Sequence, residues 1–313
     1  RRLMARLGAT YVATEMVACD EFARGRPDVV RRAAVGDGLP LMVIQLVGRE
    51  ARWLAEGSRL ATAAGADVID VNMGCPCKEV TGGLSGSALM RNLDQAQRLI
   101  EAAVSATSVP VTLKMRLGWD DQTRNAPELA ARAEACGIQA ITVHGRTRQQ
   151  FYKGVADWRA VAAVKSATRL PLIVNGDVVD GASAHAALER SGADGVMIGR
   201  GSYGRPWVAA QIEAALAGQP EPAEPSLTQR LGIALDHLGA MLRFYGDSLG
   251  LKNFRKHLAW YIEGAALPAT AEERRAAKSR LCQVADPATV EAELTRLWLA
   301  EPASAPILAA KAA

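Results

Sequence analysis

The sequence predicts an α/β fold, a TIM (β/α)8 barrel followed by a small helical domain. Three observations lead there. Seven short β-branched runs recur in the first 200 residues, at Tyr11–Thr14, Leu41–Leu46, Val68–Val71, Val111–Leu113, Ala140–Val143, Leu172–Val174 and Gly195–Ile198, most followed by an Ala-rich stretch of helical character. The runs are continuously apolar, as parallel strands covered on both faces must be. Nearly all of them end in a polar or charged group: Glu15, Gln45, Asn72 with Cys75, Lys114 with Arg116, His144 with Arg146, Asn175 with Asp177, and Gly199-Arg200. A barrel gathers its active site from the C-terminal ends of many strands, whereas an open doubly wound sheet uses mainly one switch point. That distribution favours the barrel.

Taken in order, Arg1–Leu7 reads as the tail of a helix leading into the barrel's second strand, and position 1 is not Met. The expectation is a chain lacking the first strand and most of a helix, on the order of 25–40 residues by the size of a barrel unit. Among the connecting helices, Pro127–Ala135 opens with proline at the first helical position and stops at Gly137. The barrel is expected to occupy residues 1–217. Gln219–Pro225 is a Pro-rich, stiff, solvated linker. Beyond it Leu231, Leu235, Leu238 and Leu242 fall at helical spacing, so residues 226–300 read as a helical domain. Residues 301–313 are expected to be a disordered tail.

Composition narrows the function classes. With 49% apolar and 22% charged residues in 313, the chain is too apolar to be disordered. Its longest apolar run, Leu39–Val47, is far short of the ~18 residues of a membrane span. Five scattered cysteines, an odd number, argue against a disulfide framework and point to the cytoplasm. The net charge of +4 divides into 25 basic and 21 acidic groups before residue 201 and 12 of each after it. Any nucleic-acid surface must therefore come from local segregation of charge.

Four groups carry chemistry. Asn175-Gly176-Asp177 and Gly199-Arg200-Gly201 stand where the seventh and eighth barrel strands end, the usual place of a phosphate site in such barrels. Turn glycines with a surface arginine are the plainer reading, made less attractive by the coincidence of both loops. Lys114 and His144 end neighbouring strands; a lysine there suits a ligand that becomes anionic, such as a reduced flavin, while His144 taken alone could be a satisfied core histidine. Cys75-Pro-Cys77 has no second Cys pair or Cys/His cluster to complete a metal site, so no metal is expected. The alternative is a loop thiol serving as general acid or as nucleophile, between which spacing does not choose. Finally, Arg243–Tyr261 interleaves Phe244, Tyr245, Phe254, Trp260 and Tyr261 with Arg243, Lys252, Arg255 and Lys256. That pattern fits an RNA surface, or an amphipathic helix whose rings lie in the core.

Together, Asn-Met-Gly-Cys-Pro (72–76), Leu-Lys-Met-Arg (113–116), His-Gly-Arg-Thr-Arg (144–148), Asn-Gly-Asp (175–177), Ile-Gly-Arg-Gly (198–201), Gly-Arg-Pro-Trp (204–207) and Arg-Lys-His…Trp-Tyr (255–261) resemble the tRNA-dihydrouridine synthases, most closely their bacterial B-type branch. The resemblance covers nearly the whole chain to about residue 300. It implies a flavin-bearing barrel and a helical domain that helps grip tRNA, with NADPH reducing FMN and hydride passing to C6 of a uridine while a cysteine protonates C5. Matched residue by residue, it makes Cys75 the proton donor and Gln45, Lys114, His144, Asn175, Gly176, Asp177, Gly199 and Arg200 the FMN contacts. Asn72 and Arg116 fall where the uracil would be held. Arg146, Lys252, Arg255, Lys256 and His257 fall to the tRNA. The family's Pro-Met-Ala-type first-strand segment has no counterpart in this chain. Alternatives are a flavin oxidoreductase acting on a free pyrimidine, and a flavin-less RNA-binding or regulatory protein.

Overall fold

A computed structural model describes residues 1–34, 39, 41–265, 267 and 269–299; the tail expected at 301–313 lies outside them. The first seven residues form the expected helix, Arg2–Arg6. The strands are β1 (Val12–Ala13), β2 (Val17–Ala18), β3 (Met42–Val47), β4 (Val68–Met73), β5 (Val111–Arg116), β6 (Ala140–His144), β7 (Leu172–Asn175) and β8 (Gly195–Met197). All pair in parallel, each beside the next, except that β1 and β2 both lie along β3, with Val12 opposite Met42 and Val17 opposite Leu46. Eight short strands thus fill seven sheet positions, with helices between them, in the strand order of a TIM barrel.

Among the described residues β1 and β8 are not paired with each other, so one barrel position holds no strand. A cavity of about 640 Å³ lies there, walled by Tyr11, Val12, Thr142, Ile173, Val196 and Ile212. None of the residues that the sequence nominated for a site lines it.

Two strands run further than the apolar pattern predicts. β4 continues through Asn72 to Met73, and β5 through Lys114 to Arg116, because Asn72 pairs with Lys114, Met73 with Met115 and Arg116 with His144. The parallel ladder overrides the polarity of these residues. As a result Asn72, Lys114 and Arg116 are strand residues with alternating, fixed directions, not loop residues. The sheet and its helices share a continuous apolar core that includes Ile44, Leu46, Ile69, Leu113, Ile141 and Val174.

Backbone packing separates a second unit, made of Ser202–Pro206 and the chain from Pro222 onward. Its helices are Leu227–Tyr245, Asp247–Gly264, Ala271–Leu281 and Pro287–Leu299. Ser226 with Gln229 and Thr270 with Glu273 close reciprocal capping boxes at two of the starts. Leu231, Leu238, Phe254, Leu258, Tyr261 and Trp298 form its core. Phe254 and Tyr261 therefore belong to the packing, as the plainer reading of Arg243–Tyr261 has it, whereas Phe244 is exposed.

Within the 1–217 expected for the barrel, Ser202–Pro206 instead groups with the helices, whereas the helix Val208–Leu216 groups with the barrel. The Tyr203 ring stacks on Trp260 with centroids 3.7 Å apart. Gly204 takes φ +70°, and a Cβ there would lie 2.3 Å from the Trp260 carbonyl oxygen. Gly204→Ala should cost about 1–3 kcal/mol of backbone strain, besides the clash. A lower thermal midpoint is the expected reading, and an unchanged one would show that the contact yields freely.

Candidate active site

Register brings the polar strand residues together in layers. Gln45 is opposite Asp70 and Asp70 opposite Thr112. Two residues on, Asn72 is opposite Lys114; two further, Arg116 is opposite His144, which is opposite Asn175. Steps of two along a strand keep side chains on one face. The same end of the sheet therefore carries carboxylate, amides, amine, guanidinium and imidazole.

The deepest of these groups is Asp70, 3% exposed in the middle of an apolar strand. Its Oδ1 accepts from Thr112 Oγ1 at 2.8 Å, and its Oδ2 accepts from Gln45 Nε2 at 2.6 Å. Gln45 must then turn its carbonyl away, and Oε1 accepts from Asn72 Nδ2 at 2.8 Å. Asn72 in turn presents Oδ1 to the backbone N–H groups of Gly74 at 3.1 Å and Cys75 at 2.9 Å. One carboxyl thus sets the direction of two amides and, through them, the loop that carries Cys75. The Cys75 carbonyl accepts from Ser87 N and Oγ, which fastens the other side. Burial pushes the Cys75 thiol up to about 11, and its Sγ lies 3.2 Å from that of Cys77.

Around the loop, Lys114 Nζ donates to Asn175 Oδ1 at 3.1 Å, and Asn175 Nδ2 donates to the Met197 carbonyl at 2.8 Å. Burial lowers Lys114 to about 8. His144 is held neutral. Its Nε2 faces Arg146 Nη1, which can only donate, at 3.2 Å. Burial, reinforced by Arg116, Lys114, Arg146 and Arg200, brings its pKa down to about 2. Gly176, at φ +112°, lies so close that a Cβ would come within 3.0 Å of the His144 ring.

Two arginines are almost wholly internal, at 1% and 2% exposed. Arg116 donates from Nε to the Gly74 carbonyl and from Nη1 to the carbonyls of Thr147 and Phe151. Arg146 pairs through Nη2 with Asp177 Oδ2 at 2.6 Å and donates to the Gly154 and Lys153 carbonyls. The expectation that Arg146 meets RNA does not suit this position, because a buried guanidinium must spend its donors on internal acceptors. Arg116 gives its Nε and Nη1 to loop carbonyls in the same way. Asp177, at φ +58°, also accepts from Ala156 N, and its Oδ1 is 3.7 Å from exposed Arg200. Arg200 lies over the Tyr152 ring at 4.6 Å. Gly199 is exposed, and a Cβ there would meet nothing within 4 Å.

The sequence profile of the family described as Dihydrouridine synthase (Dus) matches residues 1–297. The chain belongs to that family. It is 55% identical over 278 residues to a "Probable tRNA-dihydrouridine synthase" of Rhodobacter capsulatus, covering 88% of this chain and 86% of the relative. A protein of the same name from Rhizobium leguminosarum is 52% identical over 88% of this chain and 84% of its own length. "tRNA-dihydrouridine synthase B" of Pseudomonas putida is 43% identical over 84% of this chain and 78% of its own length. No helix among the described residues is long and apolar enough to cross a membrane.

In this member of the family the site residues nominated from sequence divide between the two units. Gln45, Asn72, Cys75, Lys114, Arg116, His144, Arg146, Asn175, Gly176, Asp177, Gly199 and Arg200 belong to the barrel. Lys252, Arg255, Lys256 and His257 belong to the helical unit. There Lys252 and Lys256 are exposed one turn apart, whereas Arg255 Nη2 donates to the Val284 carbonyl and tethers its helix to the turn between Ala271–Leu281 and Pro287–Leu299. The His257 ring packs beside His237 and Trp260.

Sequence reasoning missed Asp70. The available signal was an ionisable residue inside the buried run Val68-Ile-Asp-Val71, which needs a partner to be tolerated. Asp70→Leu removes the acceptor that directs Gln45 and should loosen the Cys75 loop. Alkylation of Cys75, followed by site-resolved mass spectrometry, should then speed up several-fold, with a smaller change for Asp70→Asn, which keeps one acceptor oxygen. Equal, unchanged rates in folded variants would show that the amide relay does not hold the loop.

Proposed function

We propose that this chain reduces uridine in tRNA to 5,6-dihydrouridine, using FMN and NADPH, with Cys75 as the proton donor. The observation that carries the reading is a cysteine kept in its thiol form by burial, its backbone tied to Asn72, at the strand end that also bears Lys114, His144 and Asn175. Saturating the C5–C6 double bond requires one hydride and one proton, and a thiol is a competent acid only while protonated. Family membership and the relatives' names supply the substrate class.

The donor set fits a flavin. Lys114 Nζ makes one hydrogen bond among the described residues, so two of its N–H groups remain for an electron-rich ring edge. Open space beside Gly199, next to Arg200, suits a phosphate. When bound and reduced by NADPH, FMN supplies the hydride that goes to C6. The chain's own residues do the rest. Lys114 and Asn175 would hold the electron-rich edge, joined by Gln45, His144, Gly176, Asp177, Gly199 and Arg200 around the cofactor. Asn72 keeps one amide N–H beyond its bond to Gln45 and can orient the uracil. Cys75 Sγ gives its proton to C5. Arg116 acts at one remove, by holding the Gly74 carbonyl beside Cys75. On the helical unit, Lys252 and Lys256 offer charge to tRNA phosphates, with Arg255 and His257 supporting their helix.

Cys75→Ala should abolish dihydrouridine formation while the flavin absorbance of the purified protein is retained, and Cys77→Ala should keep turnover; equal loss from both would undo the assignment. Since burial raises Cys75 to about 11, its proton stays in place from neutrality until the pH nears that value. The single-turnover rate should show no thiol ionisation near the unperturbed value of about 8.5. A break there would contradict the acid role. Lys252→Ala with Lys256→Ala should flatten the dependence of log affinity for tRNA on log salt by about 1.4–1.8, two phosphate contacts' worth.

A further inference from the structure

We infer that Arg91, Trp119 and Arg148 form an anion-binding station on the rim of the barrel that takes the phosphodiester backbone of an RNA. The inference rests on the tRNA reading above and adds a site to it. All three residues lie in segments that follow the C-terminal ends of β4, β5 and β6, the end of the sheet that carries Cys75. The guanidinium carbons of Arg91 and Arg148 each lie 4.9 Å from the centre of the Trp119 ring. The two cations are therefore no more than twice that distance apart.

Among the described residues neither arginine makes an ion pair. Of the two carboxylates next to Trp119 in sequence, Asp121 pairs with Arg124, and Asp120 Oδ1 accepts from Gln122 N, Thr123 N and Thr123 Oγ1, turned to its own loop and not to either arginine. Arg148 Nη2 donates to Thr81 Oγ1 at 3.3 Å and its Nη1 to Gln149 Oε1 at 3.5 Å, while its Nε is buried with no hydrogen-bond partner. Arg91 is exposed at the end of a short 3-10 helix. Two like charges held this close, with donors unspent, repel each other. The ring face offsets part of that cost, and an anion would remove it.

The placement is rigid. Arg148 N donates to the Gly118 carbonyl and Gln149 N to that of Trp119, so the loops after β5 and β6 are laced together. A Cβ at Gly118 would lie 2.0 Å from the Thr123 carbonyl oxygen, which fixes the turn just before Trp119. The station is also coupled to the Cys75 loop, because Thr81, which Arg148 engages, donates to the Cys77 carbonyl. Charges along one nucleic-acid strand recur about every 3.4 Å of duplex axis. Two guanidiniums within that bound can engage phosphates of one strand, and planar forks suit phosphate oxygens. A phosphodiester chain, which repeats a negative charge along its length, is thus the anion that answers two separate cations.

The test uses the full chain and an unmodified tRNA transcript, with affinity measured over a salt series. Arg91→Gln should lower the slope of log affinity against log salt by about 0.7–0.9, and Arg91→Gln with Arg148→Gln by about twice that. Arg148→Lys keeps the charge and should keep the wild-type slope. Turnover at saturating tRNA should change little in all three while KM rises in the Gln variants. Because Arg91 is exposed, its single variant decides the matter even if Arg148→Gln does not fold. A wild-type protein that converts tRNA, with an unchanged slope in Arg91→Gln, overturns the station and leaves the activity standing. A wild-type protein that neither binds nor converts tRNA overturns both.

Discussion

A polar group shut inside an apolar sheet has to find a partner, and at the Cys75 end of the barrel that requirement organises everything else. Asp70 has room for two donors and takes Thr112 and Gln45. The choice leaves Gln45 and then Asn72 with one available orientation each, and the backbone of Cys75 inherits the result. Reversing any amide in that series would set two donors or two acceptors face to face, at a cost of about 1–3 kcal/mol for each group left unmade. The Cys75 backbone is thus placed by hydrogen-bond polarity that starts on β4.

The buried arginines do comparable work for the surrounding loops. Arg116 and Arg146 between them draw in the carbonyls of Gly74, Thr147, Phe151, Lys153 and Gly154. Burial of each is expensive unless its donors find acceptors, and each guanidinium is accordingly a point where several loop segments converge. The positive-φ residues Phe151 and Asp177 lie in these same segments, where the surrounding bonds can sustain backbone strain. His144 stays neutral in the midst of this positive charge, so it enters the site as a hydrogen-bonding ring and not as a cation.

Much of this was legible from sequence. The strand positions, the glycine loops after the seventh and eighth barrel strands, the helical spacing from Leu231 to Leu242 and the motif set around Cys75 all follow from local patterns that survive folding. The strand ends did not, because the apolar runs stop at Val71 and Leu113 and only the ladder carries β4 to Met73 and β5 to Arg116. Nor did the boundary at Ser202–Pro206, where a stack of Tyr203 on Trp260 joins residues far apart in the chain. Arg255 illustrates the limit from the other side. Its neighbours Lys252 and Lys256 are exposed, yet its own guanidinium turns to Val284, and no helical periodicity separates these outcomes.

By itself, then, the sequence determined seven of the eight strand segments, that the strands run parallel, and which residue types gather at their C-terminal ends, because apolar periodicity and glycine placement are local properties. Only the tertiary structure decided which of those polar residues face one another, which arginines are spent inside, and how the direction of Cys75 is set. Those outcomes depend on register between strands and on the pairing of buried donors with acceptors, and both are relations between distant residues that no single stretch of chain encodes.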